Sequence, residues 1–287
     1  MRREVGIRSR FVRKHIGHHP DRAELMDLTR FMHGRPEKLV KCAFCGLAMR
    51  EENAPAHYAD DLYDPVLLAH LFPRYLQAFQ EKERNYRELL RPRAEVLEVG
   101  SHLGAFLAAG EEWGWRPTGI DVGEYTSAFA RRQGLRVKRT AIEDARIGDR
   151  SLDGVFIWNC FEQMERPREA LGSLRPMLRR HGVLVIRVPN FAFYQNRRSL
   201  RELAFNNLLG FPYLTGHTPG SLVRLVRQFG FEPVAGFDST LLILPFPNVS
   251  RELESEMEAA YALYRSAGSK SPDRLAGPWI EIAFRVV

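Results

Sequence analysis

The sequence predicts an α/β domain built on a doubly wound, mostly parallel sheet, and three observations predict it. From residue 94 onward, short apolar runs alternate with segments whose apolar residues recur at helical spacing. The first run, in "VLEVGSHLGAFL" at 96–107, ends in a carboxylate and a glycine turn that opens directly into a helix. The second, "RPTGIDV", ends in another carboxylate, Asp121, 23 residues after Glu98. Strands that alternate with helices imply a parallel sheet covered on both faces. Ligands of such sheets sit at the carboxyl ends of the strands, near the switch point.

The chain has 287 residues, 45 % of them hydrophobic, long enough for one large domain or a domain with an appendage. Residues 1–60 are basic and histidine-rich. Residues 61–92 form a helical connector, with "PVLLAHLFPRYLQAFQEKERNYRELL" periodic but interrupted by Pro73. Residues 93–287 form the α/β domain. Of the net charge of +7, most lies in residues 1–41, with eleven Lys/Arg against five Asp/Glu. Such an arm could touch nucleic acid, anionic lipid or an acidic substrate, or simply be solvated. No aromatic interleaving or RNA-module motif supports a nucleic-acid partner. No apolar run reaches 18 residues, so no membrane span is expected. The basic start "MRREVGIRSRFVRKH" lacks the apolar core of a signal peptide. With only three cysteines, a reducing cytoplasm is the expected location.

The elements follow in order. "AEVLEVG" reads as a buried strand, followed by a helix over 104–113. "RPTGIDV" is the second strand, and "EYTSAFARRQG" its helix. "LRVKRT" is a short third strand and "LDGVFIW" the fourth. "PREALGSLRPMLRRHG" is a helix and "GVLVIRVPN" the fifth strand. "TPGSLVRLVRQFG" is a helix with Thr218 as N-cap, Pro219 in its first turn and Gly230 closing it. "FEPVAGFDSTLLIL" and "WIEIAFRVV" complete the strands.

Glycines after the first strand let the backbone approach a ligand, with a helix N-terminus facing it. A dinucleotide site wants G-x-G-x-x-G. Here the spacing is Gly100-x-x-x-Gly104, with His102 where a middle glycine could stand. Glu98 just before the turn would repel a pyrophosphate but suits a cation. Asp121 can take both hydroxyls of a ribose, or serve as a helix cap. In "AIEDA", Ile142 could pack on an adenine face, and Glu143 or Asp144 could accept from its amino group.

These stretches, with "LDGVFIWNCFEQMERPREALGSLRPMLRRHGVLVIRVPN" and "TPGSLVRLVRQFGFEP", resemble class I S-adenosylmethionine-dependent methyltransferases over about residues 94–240. The bacterial small-molecule and sugar methyltransferases look most alike. The resemblance implies a seven-stranded Rossmann-like methyltransferase fold with an antiparallel last strand, "GPWIEIAFRVV", and a lid over 190–217. It implies S-adenosylmethionine as cofactor. Gly100, Ser101, His102 and Gly104 would pass under its amino-acid part, with Glu98 near the ammonium group. Asp121, with Val122 beside it, would hold the ribose. Ile142 and Glu143 would frame the adenine. Asn159 and Cys160 would line the wall beside the sulfonium. Three departures stand out. His102 replaces a glycine, which implies a wider loop or weaker cofactor binding. Phe161-Glu162-Gln163 replaces L-E-H. "YLTGHTP" carries His217 displaced by one position.

The expected activity is methyl transfer to a small-molecule or glycan-linked acceptor, at oxygen first, with carbon and nitrogen as the other target atoms. If the acceptor must lose a proton, the candidate bases are His217, Tyr213 and Tyr194, with His217 first because imidazole titrates nearest neutrality. A nicotinamide-dependent oxidoreductase, or a non-catalytic interaction protein on the same fold, are the alternatives. "KCAFCGL" gives Cys42-x-x-Cys45-Gly, half of a zinc knuckle. His15-x-x-His18 lies upstream, with 23 residues between His18 and Cys42; the four could hold a structural tetrahedral zinc, and His19 or His33 could substitute. Cys160 reads as a wall residue rather than a nucleophile. The oligomeric state has no signature in the sequence.

Overall fold

A computed structural model describes residues 25–27, 39–50, 65–195, 214–239 and 271–287. Three short strands come first: β1 (Leu25–Asp27), β2 (Leu39–Cys42) and β3 (Ala48–Arg50). They pair antiparallel in sequence order, and a tight turn over the cysteine pair joins β2 to β3. Helix α1 (Pro65–Gln80) follows and runs through Pro73 without a break. The proline removes one backbone hydrogen bond. Leu68, Leu71 and Phe79, buried on either side of it, hold the helix together. A short α2 (Glu83–Tyr86) leads into the main sheet.

The strands of that sheet are β4 (Glu95–Val99), β5 (Arg116–Asp121), β6 (Val137–Arg139), β7 (Leu152–Trp158), β8 (Leu178–Pro189), β10 (Phe231–Ser239) and β11 (Trp279–Val286). A two-residue strand, β9 (Thr215–Gly216), belongs to the small sheet, where it pairs with β3. The helices are α3 (Ala105–Glu112), α4 (Glu124–Arg132), α5 (Pro167–Met177), α6 (Phe191–Gln195) and α7 (Pro219–Arg227). The seven-stranded order is β10-β11-β8-β7-β4-β5-β6. β11 runs antiparallel to both its neighbours, and the other pairings are parallel. The expected fold class is therefore the observed one.

Period-two alternation sends Leu97, Val99, Val155, Ile157, Leu184, Ile186, Ile280 and Ile282 to one face, where α5 and α7 pack. Val96, Phe156, Trp158, Val183, Val185 and Ala283 go to the other, against α1, α3 and α4. There Phe79 of α1 meets Phe106 at 5.4 Å and Trp158 at 5.3 Å between ring centres, which fixes α1 over the sheet.

Two boundaries differ from the sequence expectation. The helix expected over 167–182 stops at Met177, and β8 begins at once at Leu178. Pro176 disfavours helical backbone before it and offers no donor. The carbonyls of Pro176 and Met177 accept instead from Arg150 and Ser151 at 2.9 and 3.0 Å. The start of α7 is as expected: Thr218 and Ser221 form a reciprocal capping box, with Pro219 first in the helix. No helix among the described residues is long and apolar enough to cross a membrane.

Candidate active site

The turn after β4 is closed by backbone bonds. Gly100 and Ser101 both donate to the Ile120 carbonyl, at 2.9 and 3.0 Å, and Gly104 donates to Ser101 at 2.8 Å. The turn needs left-handed backbone three times, with φ of +72° at Gly100, +48° at His102 and +81° at Gly104. Histidine is among the side chains that tolerate this region, and its N–H donates to Asp121 Oδ2 at 2.7 Å. Its ring lies 6.1 Å from that of Tyr75 on α1. The two glycines serve different ends. A methyl group on Gly100 would lie 2.6 Å from Cys160 Sγ, whereas one on Gly104 would strike Leu135 and Ala130, so Gly104 serves helix packing.

Glu98 and Asp121 end neighbouring strands and stand close enough for their charges to act on each other. Asp121 is held firmly: Oδ1 accepts from Gly123 N at 2.7 Å and Thr126 Oγ1 at 3.0 Å. The N-cap of α4 is Gly123, two residues on, so the helix-cap reading of Asp121 does not hold; its remaining lone pairs can still accept. Glu98 is 3 % exposed, and its Oε2 has no hydrogen-bond partner among the described residues; nor does the buried Ser101 Oγ. Burial, reinforced by the Asp121 charge, pushes the Glu98 carboxyl well above the usual range. Gly119 opposite is obligatory, since a methyl group there would sit 2.5 Å from Ser101 Oγ.

Val122, next to Asp121, is 52 % exposed, an apolar surface at the strand ends. Ile142 is buried in the core cluster with Val99 and Ile120, and Glu143 is exposed beside it. At the end of β7, Asn159 adopts φ +51°. Arg187 of β8 fixes it from both sides: Asn159 N donates to the Arg187 carbonyl at 3.1 Å, and Arg187 Nη1 donates to Asn159 Oδ1 at 2.5 Å. Cys160 Sγ donates to the Val99 carbonyl at 3.3 Å. Burial, then the charges of Glu162, Asp121 and Glu98, push its thiol well up, as suits a wall and not a nucleophile.

Arg187 leads to a buried cluster absent from the sequence expectations. Its guanidinium lies 4.2 Å from the Trp279 ring centre, and its Nε is 3.3 Å from Glu281 Oε1. Glu281 also accepts from Lys82 Nζ and from the Tyr86 hydroxyl. Burial lowers the Lys82 pKa while Glu281 raises it.

Of the candidate bases, His217 is 1 % exposed, its ring 5.5 Å from that of Phe161. Its Nε2 lies 3.1 Å from Thr215 Oγ1, which reaches the Glu162 carbonyl at 3.4 Å. If that hydroxyl donates to the carbonyl, it accepts from Nε2–H, and Nδ1 carries the ring's lone pair. Tyr194 falls in α6. Tyr213, His15 and His18 lie outside the described residues. Cys42 and Cys45 are together and buried, and the hydrogen bond between them, with burial, pushes the Cys45 thiol far up. Thr218 Oγ1 donates to the Cys45 carbonyl at 3.1 Å, so the hairpin abuts the start of α7. Among the described residues no group of three or more His, Cys, Asp or Glu could hold a metal ion.

No curated protein matches the chain. Solved structures do. An S-adenosylmethionine-dependent methyltransferase of Thermotoga maritima is 17 % identical, covers 76 % of this chain and 93 % of its own, and has a TM-score of 0.53. A methyltransferase of Haloferax volcanii, in complex with the Trm112 methyltransferase activator, is 15 % identical over 82 % of this chain and 99 % of its own, with a TM-score of 0.57. A third, from Archaeoglobus fulgidus, is 21 % identical over 77 % and 98 %, with a TM-score of 0.53. At these identities the likeness is one of fold. A family model described as a methyltransferase domain matches residues 67–235, more than half of the chain, and this chain belongs to that methyltransferase family.

Proposed function

We propose that the chain transfers the methyl group of S-adenosylmethionine to an oxygen of a small-molecule or glycan-linked acceptor. One observation carries the reading: Glu98 is buried with an oxygen that no described residue satisfies, beside a glycine turn too closely packed on Cys160 to admit a side chain at Gly100. A buried carboxylate needs a partner, and the ligand's ammonium group is of the right charge. Bound there, S-adenosylmethionine supplies an electrophilic methyl carbon on a good leaving group.

The protein's work is then mostly placement. Gly100, Ser101, His102 and Gly104 would pass beneath the amino-acid part, and Glu98 would accept from the ammonium. Asp121, already fixed by three donors, would present its free lone pairs to the ribose, with Val122, Ile142 and Glu143 toward the adenine. Asn159 and Cys160 would form the wall beside the sulfur. Alignment of this kind can supply about 7–11 kcal/mol of the barrier.

The test combines binding with transfer. S-adenosylhomocysteine is expected to raise the melting temperature and a nicotinamide dinucleotide to leave it unchanged. Labelled methyl is expected to appear in fractionated metabolites or glycans. A thermal response to the dinucleotide alone, or none to either with no label transferred, rejects the reading.

Glu98→Gln separates the ligand's needs from the fold's. Losing a charge-assisted bond of about 1.5–3 kcal/mol weakens S-adenosylhomocysteine binding roughly ten- to hundred-fold, measured by calorimetry. Stability of the free chain moves the other way. The Glu98 pKa is raised in the folded state, so ionisation favours unfolding and stability falls as pH rises above the usual carboxyl range. Glu98→Gln removes the Glu98 share of that fall.

A further inference from the structure

Glu162 lies in the single turn Phe161–Gln163 just after β7. It is 0 % exposed, and neither carboxylate oxygen meets a hydrogen-bonding group of another described residue. Such a group is expensive to bury, and an apolar side chain would pack the same space at lower cost. Its surroundings say where it stands. Its charge acts on Cys160, the residue in contact with Gly100, and the Arg187 guanidinium acts on it from β8. The charges of Glu98 and Asp121 also act on Cys160, and Arg187 pairs with Glu281, which Lys82 meets too. From the small sheet, Leu214 N donates to the Glu162 carbonyl at 2.9 Å, and His217 reaches the turn through Phe161. The carboxyl is thus held at the carboxyl ends of β7 and β8, next to the wall assigned to the reacting sulfur. Burial pushes it up to about 8, against the pull of its own backbone N–H and of Arg187.

We propose that Glu162 is the proton acceptor of the reaction, taking the hydroxyl proton of the methyl acceptor. This rests on the methyl-transfer reading above. The acceptor's O–H bond breaks and its proton passes to a Glu162 oxygen. The electron pair left on the hydroxyl oxygen forms the bond to the methyl carbon, and the pair of the carbon–sulfur bond stays on sulfur. A base works best when its pKa lies near the working pH, and it contributes about 10²–10⁴-fold. Glu162 meets that condition through burial, and no hydrogen bond from another described residue would have to be displaced.

The experiment follows labelled methyl from S-adenosylmethionine into metabolite and glycan fractions from about pH 6 to about pH 9.5, for the unaltered chain, Glu162→Gln, Glu162→Asp and His217→Gln. The unaltered chain's rate is expected to climb through about 8. Glu162→Gln should bind S-adenosylhomocysteine as before, transfer about 10²–10⁴-fold less and show no climb. Glu162→Asp should keep a pH-dependent remainder. Urea unfolding gives a readout that needs no acceptor. Because the folded-state pKa is raised, the unaltered chain should lose stability as pH climbs from the usual carboxyl range toward about 8, and Glu162→Gln should lose less, keeping only the share that Glu98 contributes. Full transfer by Glu162→Gln overturns the proposal. So does loss of the climb in His217→Gln with its retention in Glu162→Gln, or a stability profile that Glu162→Gln leaves unchanged. No transfer by the unaltered chain at any pH overturns the methyl-transfer reading and this proposal with it.

Discussion

Replacing Glu281 with Leu lowers the unfolding free energy by about 3–5 kcal/mol, the usual consequence of removing one partner from a buried ion pair. Glu281 is fully buried on β11 and faces two cations, Lys82 and Arg187, together with the Tyr86 hydroxyl. Leucine fills the space but leaves two buried positive charges with their anion removed and a phenol without its acceptor. Urea unfolding followed by far-UV circular dichroism measures the loss. The companion variant carries Lys82→Met, Tyr86→Phe, Arg187→Met and Glu281→Leu together. An all-apolar replacement of a buried ionic cluster is commonly neutral or stabilising, so this chain should recover most of the deficit. It should still bind S-adenosylhomocysteine more weakly, because Asn159 loses the Arg187 donor that fixes its side chain. Equal stability of Glu281→Leu and the unaltered chain would show that the cluster does not hold the folded state together.

Gly100→Ala carries the second large effect, on the site as well as on stability. Alanine at φ +72° is strained by about 1–2 kcal/mol. Its methyl would also lie 2.6 Å from Cys160 Sγ and 2.9 Å from Cys160 Cβ, an overpacking that adds about 1–3 kcal/mol. Either β7 moves away or the turn opens, and both separate Ser101 and His102 from their places beside Glu98 and Asp121. Binding of S-adenosylhomocysteine should fall by roughly a hundred-fold or more, since each 1.4 kcal/mol is about tenfold. Adding Cys160→Gly removes both clashes and should restore part of the stability, while the dihedral strain persists. A double variant no better than Gly100→Ala would place the whole effect in the backbone.

Much of this arrangement was legible because strand period and strand ends are local properties. Alternation fixes which residues share a face, and a carboxylate at the end of each of two adjacent strands meets its counterpart once those strands pair. The parallel register sets Glu98 opposite Gly119, two residues before Asp121. Gly104 was harder, since a glycine spared for a ligand and one spared for Ala130 and Leu135 look alike in the chain. Arg187 and Glu281 did leave a signal: one opposite charge in each of two otherwise apolar runs, "VLVIRVP" and "WIEIAF". Only the β8–β11 register, which puts them opposite each other, turns that signal into a pair. Pro176 also marked the end of α5 in advance, but the apolar residues around it kept helical spacing and hid the boundary. β9 has two residues, too few for any periodicity, and depends wholly on β3 for its existence. Glu162 was visible as a residue, but its lack of partners is a property of the space around it.

The place of β11 constrains how the protein can be made. Last of the strands in sequence, it lies between β8 and β10, bonded to both. A nascent chain on the ribosome can assemble five parallel strands, yet β10 finds no neighbour until the residues up to Val286 have emerged. Until then β8 lacks the strand that covers it among the described residues, and β11 joins β8 and β10 in one step.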